Sequence, residues 1–317
     1  MVRRARGGRG VAGSATVAAP VWRTRLETVR DYFALTKPRI IELLLVTTLP
    51  ALILAANGIP SLYVLVATLA GGALAAGSAN ALNCYFDRDI DAVMGRTASR
   101  PLARGTVTPR GALIFGLSCG VISVVGLALT TNLLAAALTA VAIAFYVLIY
   151  TLVLKRRTSQ NIVWGGAAGC MPVLIGWAAV TGTLSWTPVV LFGIVFLWTP
   201  PHFWALAFRY RGDYESAGVP MLPVVASPRS VARQIVVYSW AMVGVSLLLY
   251  PVGHLGIGYL IAAIALGGIF LREAHLFRTR LLSGNNPQAM RLFHWSITYL
   301  SLLCLAASVD VLLRSWL

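Results

Sequence analysis

The sequence predicts an all-α, polytopic membrane protein with nine transmembrane helices and a cytoplasmic N-terminus. Three observations predict it. Hydrophobic residues make up 58% of the 317-residue chain and charged residues only 11%, where a soluble domain averages about 25% charged. The mean hydropathy is +0.78, so the chain cannot cover itself with a water-facing surface. The apolar residues also fall into nine continuous runs, and the basic residues fall between those runs on one side.

The runs span residues 40–56, 63–85, 112–129, 133–154, 162–180, 188–208, 235–252, 255–271 and 295–313. Each is long enough to cross about 30 Å of hydrocarbon at roughly 1.5 Å per residue. Inside lipid only helices or closed barrels satisfy the backbone. Continuous apolar runs without alternation select helices. Of the 26 basic residues, 25 lie in the N-terminal segment through Arg39 or in the loops after the second, fourth, sixth and eighth runs. Arg314 is the exception. Positive residues mark the cytoplasmic side, so the N-terminus and the even loops are expected there. The protein is expected in the cell inner (plasma) membrane, and its working face is expected to be cytoplasmic because the loops after runs two and six are the long ones.

The domain organisation follows. Residues 1–30, rich in Arg, Gly and Ala, read as a disordered basic tail, and residues 31–317 as one nine-helix membrane domain. The net charge of +16 is spent on topology rather than on a folded basic surface, which argues against nucleic acid. Cys84, Cys119, Cys170 and Cys304 each lie in an apolar stretch without CxxC spacing, so neither a disulfide nor a zinc site is indicated.

Only ten residues are acidic, and three of them fall within residues 80–91, N-A-L-N-C-Y-F-D-R-D-I-D. Ionisable groups at membrane depth are costly and mark functional sites. Asn83, Asp87 and Asp91 recur at i, i+4 and i+8, one face of a helix, with Asn80 one turn earlier and Asp89 pointing elsewhere. Two carboxylates one turn apart repel, and a divalent cation between them removes the repulsion. Mg²⁺ suits oxygen ligands shared between carboxylates and phosphates. Arg96, Arg100 and Arg104 follow, so carboxylates, metal and guanidinium groups would form a diphosphate cradle.

N-x-x-x-D-x-x-x-D at the end of the second membrane helix, followed by R-T-A-S-R-P-L, resembles the UbiA superfamily of intramembrane prenyltransferases over nearly the whole chain after Arg30. The resemblance implies a Mg²⁺-dependent prenyltransferase, with Asn83, Asp87 and Asp91 catalytic, Asp87 and Asp91 on the metal, and Arg96, Arg100, Lys155 and Arg156 around the diphosphate. T-K-P-R at 36–39, L-K-R-R-T-S-Q-N at 154–161, T-P-P-H-F-W-A-L at 199–206 and D-Y-E-S-A-G-V-P-M-L-P at 213–223 are similar to the heme-farnesylating branch of that superfamily. That branch implies farnesyl diphosphate and protoheme IX (heme B) as substrates, heme O as product, and a downstream heme-modifying enzyme as a candidate partner. His202 is then a candidate heme contact. Many superfamily members carry a second D-x-x-x-D after the sixth helix. Here the positions are Asp213 and Ala217, which leaves Asp213 to bind metal or to orient Lys155 or an arginine. Two other readings stay open on the residues alone: a prenyltransferase acting on a quinone precursor, and a membrane transporter.

Overall fold

The computed structural model describes residues 24–316 and is all-helical. Helix α1 (Arg25–Leu35) opens on a capping box: the Thr24 hydroxyl accepts from Glu27 N–H at 3.2 Å, and the Glu27 carboxylate accepts from Thr24 N–H at 2.9 Å. Each bond satisfies a donor that the first turn cannot. Residues 25–30, expected in the disordered tail, are therefore helical. Residues 1–23 of that expected tail lie outside the described residues.

α2 (Pro38–Ala56), α3 (Leu62–Phe86), α4 (Arg88–Val93), α5 (Pro109–Thr130) and α6 (Leu133–Ala144) follow. α6 runs on as a π-helix, Phe145–Leu154, into the single turn α7 (Lys155–Arg157). The remainder is α8 (Asn161–Thr181), α9 (Trp186–Arg209), the short α10 (Arg211–Ser216) and α11 (Leu222–Val225), then α12 (Pro228–Val252), α13 (Ile257–Leu282) and α14 (Ala289–Trp316).

Among the described residues, eight helical segments are long and apolar enough to cross a membrane, beginning with Leu62–Phe86 and ending with Ala289–Ser315. They coincide with eight of the nine expected runs. The first run lies in α2, whose apolar part is the shorter Leu44–Ala56. α2 opens with Pro38 and a basic Arg39, and Pro50 interrupts its hydrogen-bond ladder. The chain is a multi-pass integral membrane protein.

Lipid supplies no hydrophobic drive between helices, so close approach depends on small residues. The α3–α5 interface illustrates it. A Cβ at Gly71 would stand 2.6 Å from Leu127 Cγ, and the Ser123 hydroxyl donates to the Gly71 carbonyl at 2.7 Å. On the other side α2, α8, α9, α12, α13 and α14 share one large apolar core that includes Trp198, Trp204, Tyr259, Phe270 and Tyr299. The four cysteines are buried and unpaired.

Candidate active site

The acidic stripe does not sit in one unbroken helix. α3 stops at Phe86, and Asp87 takes φ −94°, ψ 11° between α3 and α4. The face nevertheless persists, because Asp87 N–H donates to Asn83 O at 2.9 Å and Asp91 N–H to Asp87 O at 2.8 Å. Asn83, Asp87 and Asp91 are 3%, 0% and 2% exposed, while Asp89 is 62% exposed. The helical-face expectation thus separates the three carboxylates correctly.

Every group on that face is held by a partner from elsewhere in the chain. The Lys155 ammonium bonds Asp87 Oδ2. Asn83 Nδ2 donates to the same oxygen at 2.7 Å and to Thr151 Oγ1 at 3.1 Å. Arg100 Nη1 donates to both oxygens of Asp91 at 2.7 Å. Arg156 grips the exposed Asp89 with two 2.7 Å bonds, which hold the Asp89 carboxyl down at about 2. Its Nη2 also reaches to 3.5 Å from Asp87 Oδ1. Lys37, which the sequence reading did not place in the site, donates to Asn83 Oδ1 at 2.7 Å. Burial lowers its ammonium to about 8.

The π-helix shapes this cluster. Such i→i+5 segments are rare and often functional. Its wider i→i+5 turn lets the Thr151 hydroxyl donate to Tyr146 O at 2.9 Å while accepting from Asn83. The segment delivers Lys155 and Arg156 immediately afterward. Tyr150 packs where a Cβ on Gly165 would stand 2.1 Å from its Cδ2, so α8 admits the ring only because residue 165 has no side chain. No signal in the sequence marks the π-turn.

The second acidic loop meets the first. Asp213 Oδ2 accepts from Arg96 N–H at 3.2 Å. Arg96 Nη2 lies 3.4 Å from the Tyr214 hydroxyl, and its guanidinium lies 5.5 Å from the Tyr210 ring centroid. Gly95, Arg96, Arg209, Tyr210, Gly212 and Asp213 line an open recess of about 570 Å³. Asp213 thus bonds the backbone of Arg96 rather than its guanidinium.

Candidate cation ligands can be tested on this arrangement. Among the described residues no three His, Cys, Asp or Glu side chains converge. Asp87 Oδ1, however, is buried and accepts no hydrogen bond. A buried carboxylate oxygen that accepts no hydrogen bond, with the Arg156 guanidinium near it at 3.5 Å, is costly, and a hard cation is a partner that suits it. Asp87 therefore fits a metal ligand. Asp91 fits with a condition: Arg100 already occupies both its oxygens, although through Nη1 alone.

His202 is placed away from these carboxylates. It is 5% exposed. Its ring stacks on Trp198 at 4.1 Å and on Phe293 at 4.4 Å, and Nδ1 lies 2.7 Å from Ser296 Oγ. Both faces and one nitrogen are thus engaged by protein.

Buried carboxylates and several cations thus gather at one end of a multi-pass helical bundle, an arrangement with the chemistry to hold a polyanionic group. The chain belongs to the UbiA prenyltransferase family, whose model matches residues 44–297. It is 57% identical over 289 residues to a protoheme IX farnesyltransferase of Streptomyces avermitilis, covering 90% of this chain and 95% of the relative. In fold it is similar to a structure of digeranylgeranylglyceryl phosphate synthase in membranes, with a TM-score of 0.75, 20% identity and coverage of 90% and 99%. It is also similar to a UbiA homolog from Archaeoglobus fulgidus bound to GPP and Mg²⁺, with a TM-score of 0.64, 17% identity and coverage of 89% and 99%.

Proposed function

We infer that this protein transfers the farnesyl group of farnesyl diphosphate to a vinyl group of protoheme IX, giving heme O and diphosphate. The reading of the acceptor rests on the relative of 57% identity, a protoheme IX farnesyltransferase. The observation that carries the chemistry is Asp87, fully buried, with Lys155 on one oxygen and no hydrogen bond on the other. A quinone-precursor acceptor or solute transport has no comparable support.

Mg²⁺ held by Asp87 and Asp91 would neutralise charge on the diphosphate as it departs. Lys155 and Arg156 lie on Asp87 and Arg100 on Asp91, and together with Arg96 from the neighbouring recess they would stabilise the same charge by fixed donors. Arg100 bonds Asp91 through Nη1 only, so its Nε and Nη2 remain for phosphate oxygens. Asp213 anchors the backbone that carries Arg96. The allylic C–O bond breaks, the electron pair leaves on the diphosphate, and the vinyl π pair forms the new C–C bond. Water adds to the resulting cation as hydroxyl, and its proton goes to the diphosphate. The apolar helix walls keep water from the farnesyl cation until the vinyl group has reacted. The site opens to the cytoplasm, and His202 packs between Trp198 and Phe293.

The test is direct. Purified protein incubated with heme, farnesyl diphosphate and Mg²⁺ should yield heme heavier by one farnesyl plus one hydroxyl in a mass spectrum. Unaltered heme under conditions where the protein stays folded would refute the reading.

A further inference from the structure

Lys37 adopts φ 54°, ψ 65°, a left-handed conformation at the start of α2, immediately before Pro38. A residue with a Cβ is strained there, and strain of this kind persists where the surroundings enforce it. The surroundings here are α3. The Asn80 side chain donates to the Thr36 carbonyl at 2.8 Å. Gly77 leaves room for Thr36, whose Cγ2 would lie 3.2 Å from a Cβ at residue 77. The corner between α1 and α2 is thereby pinned to the small, polar face of α3, and the Lys37 ammonium is carried to Asn83 Oδ1 at 2.7 Å.

Asn83 can be placed in two ways, and each end of its amide meets a different charge. In the observed placement Oδ1 faces an ammonium, which only donates, and Nδ2 faces Asp87 Oδ2, which only accepts. Thr151 agrees, since its own proton goes to Tyr146 O and its oxygen is left to accept from Nδ2. Asp87 Oδ2 is then saturated by Asn83 and Lys155, and Oδ1 accepts no hydrogen bond, with Arg156 Nη2 3.5 Å away. Without Lys37, Asn83 Oδ1, on a residue only 3% exposed in the intact protein, would lose that donor. Such a group is costly, and the nearest other ammonium is Lys155, on the opposite end of the amide. Turning toward it would break the bond that fills Asp87 Oδ2.

We propose that Lys37 is a positioning residue: its ammonium locks the Asn83 amide in the one orientation that presents Asp87 Oδ1 to a divalent cation. The inference rests on the metal reading given above and adds the element that orients the ligand. It also gives a role to the residue that holds the strained backbone at this corner.

The experiment measures Mn²⁺ binding to the detergent-purified full chain by electron paramagnetic resonance, without substrate. Lys37→Gly suits the left-handed backbone, so the fold is retained while the ammonium is lost. Loss of one buried charge-assisted bond should weaken Mn²⁺ about tenfold, and Lys37→Arg should recover most of that loss. Because Lys37 acts through Asn83, Lys37→Gly added to Asn83→Ala should weaken binding no further than Asn83→Ala alone. Unchanged Mn²⁺ affinity in Lys37→Gly, or losses that multiply in the double variant, would overturn the proposal while leaving the metal reading intact. A failure of the unsubstituted protein to bind Mn²⁺ would overturn both.

Discussion

Lys155 bonds Asp87 from 68 positions further along the chain, immediately after a π-helix that ends at Leu154. The lysine is 14% exposed and the aspartate 0%. Taking one partner from a buried pair leaves an uncompensated charge and costs about 3–5 kcal/mol. Lys155→Met should therefore lower the thermal unfolding temperature in detergent and reduce turnover by about a hundredfold or more. Adding Asp87→Asn should restore much of the stability and none of the turnover. A double variant no more stable than the single one would show that the pair is not what holds this corner.

The three aspartates should separate by burial. Asp87→Ala and Asp91→Ala are expected to abolish farnesyl transfer in membranes that still contain the inserted protein. Asp89 forms a solvent-exposed pair with Arg156, and exposed pairs contribute about 0–1 kcal/mol. Asp89→Ala should then cost less than about tenfold in rate. Near-normal turnover in the Asp87 and Asp91 variants would remove the basis of the assigned chemistry.

Gly165 and Gly169 lie one turn apart on α8 and make a matched comparison. A Cβ at Gly165 would collide with the Tyr150 ring, whereas one at Gly169 meets nothing within 4 Å. Gly165→Ala should overpack the junction with the π-helix and cost about 1–3 kcal/mol, with turnover falling as Lys155 shifts. Gly169→Ala should match the unsubstituted protein in both thermal unfolding and rate.

Chelation should separate chemistry from folding. The large apolar core shared by α2, α8, α9, α12, α13 and α14 contains no cation ligand set. EDTA should therefore stop product formation, Mg²⁺ should restore it, and far-UV circular dichroism should stay constant throughout.

His202 tests where the heme sits. Its ring lies between Trp198 and Phe293, so His202→Ala opens a cavity and should cost about 2–4 kcal/mol of stability, as large-to-small changes in a core do. The Soret band of added heme should not move. A clear Soret shift in that variant would make His202 an iron ligand.

Residue patterns made much of the site legible. The i, i+4, i+8 spacing of Asn83, Asp87 and Asp91 predicted one helix face and an outlying Asp89, and the structure keeps that face because hydrogen bonds between residues four apart carry the helical register across the break at Asp87. Lys37, Thr151 and the Asp213–Arg96 bond were not legible in the same way. They join positions 46, 68 and 117 residues apart, and no local period encodes such distances. The π-helix escaped for a different reason: an apolar run reads alike whether its bonds close at i+4 or i+5.

The sequence by itself determined that the chain is helical, membrane-embedded and acidic at one helix end, since backbone satisfaction in lipid and the 3.6-residue period depend only on local composition. Tertiary structure alone decided which cation faces which carboxylate oxygen. That choice follows from how the α1–α2 corner, the π-helix and the loop before α10 pack against α3 and α4, and packing between distant segments is set by shape rather than by period.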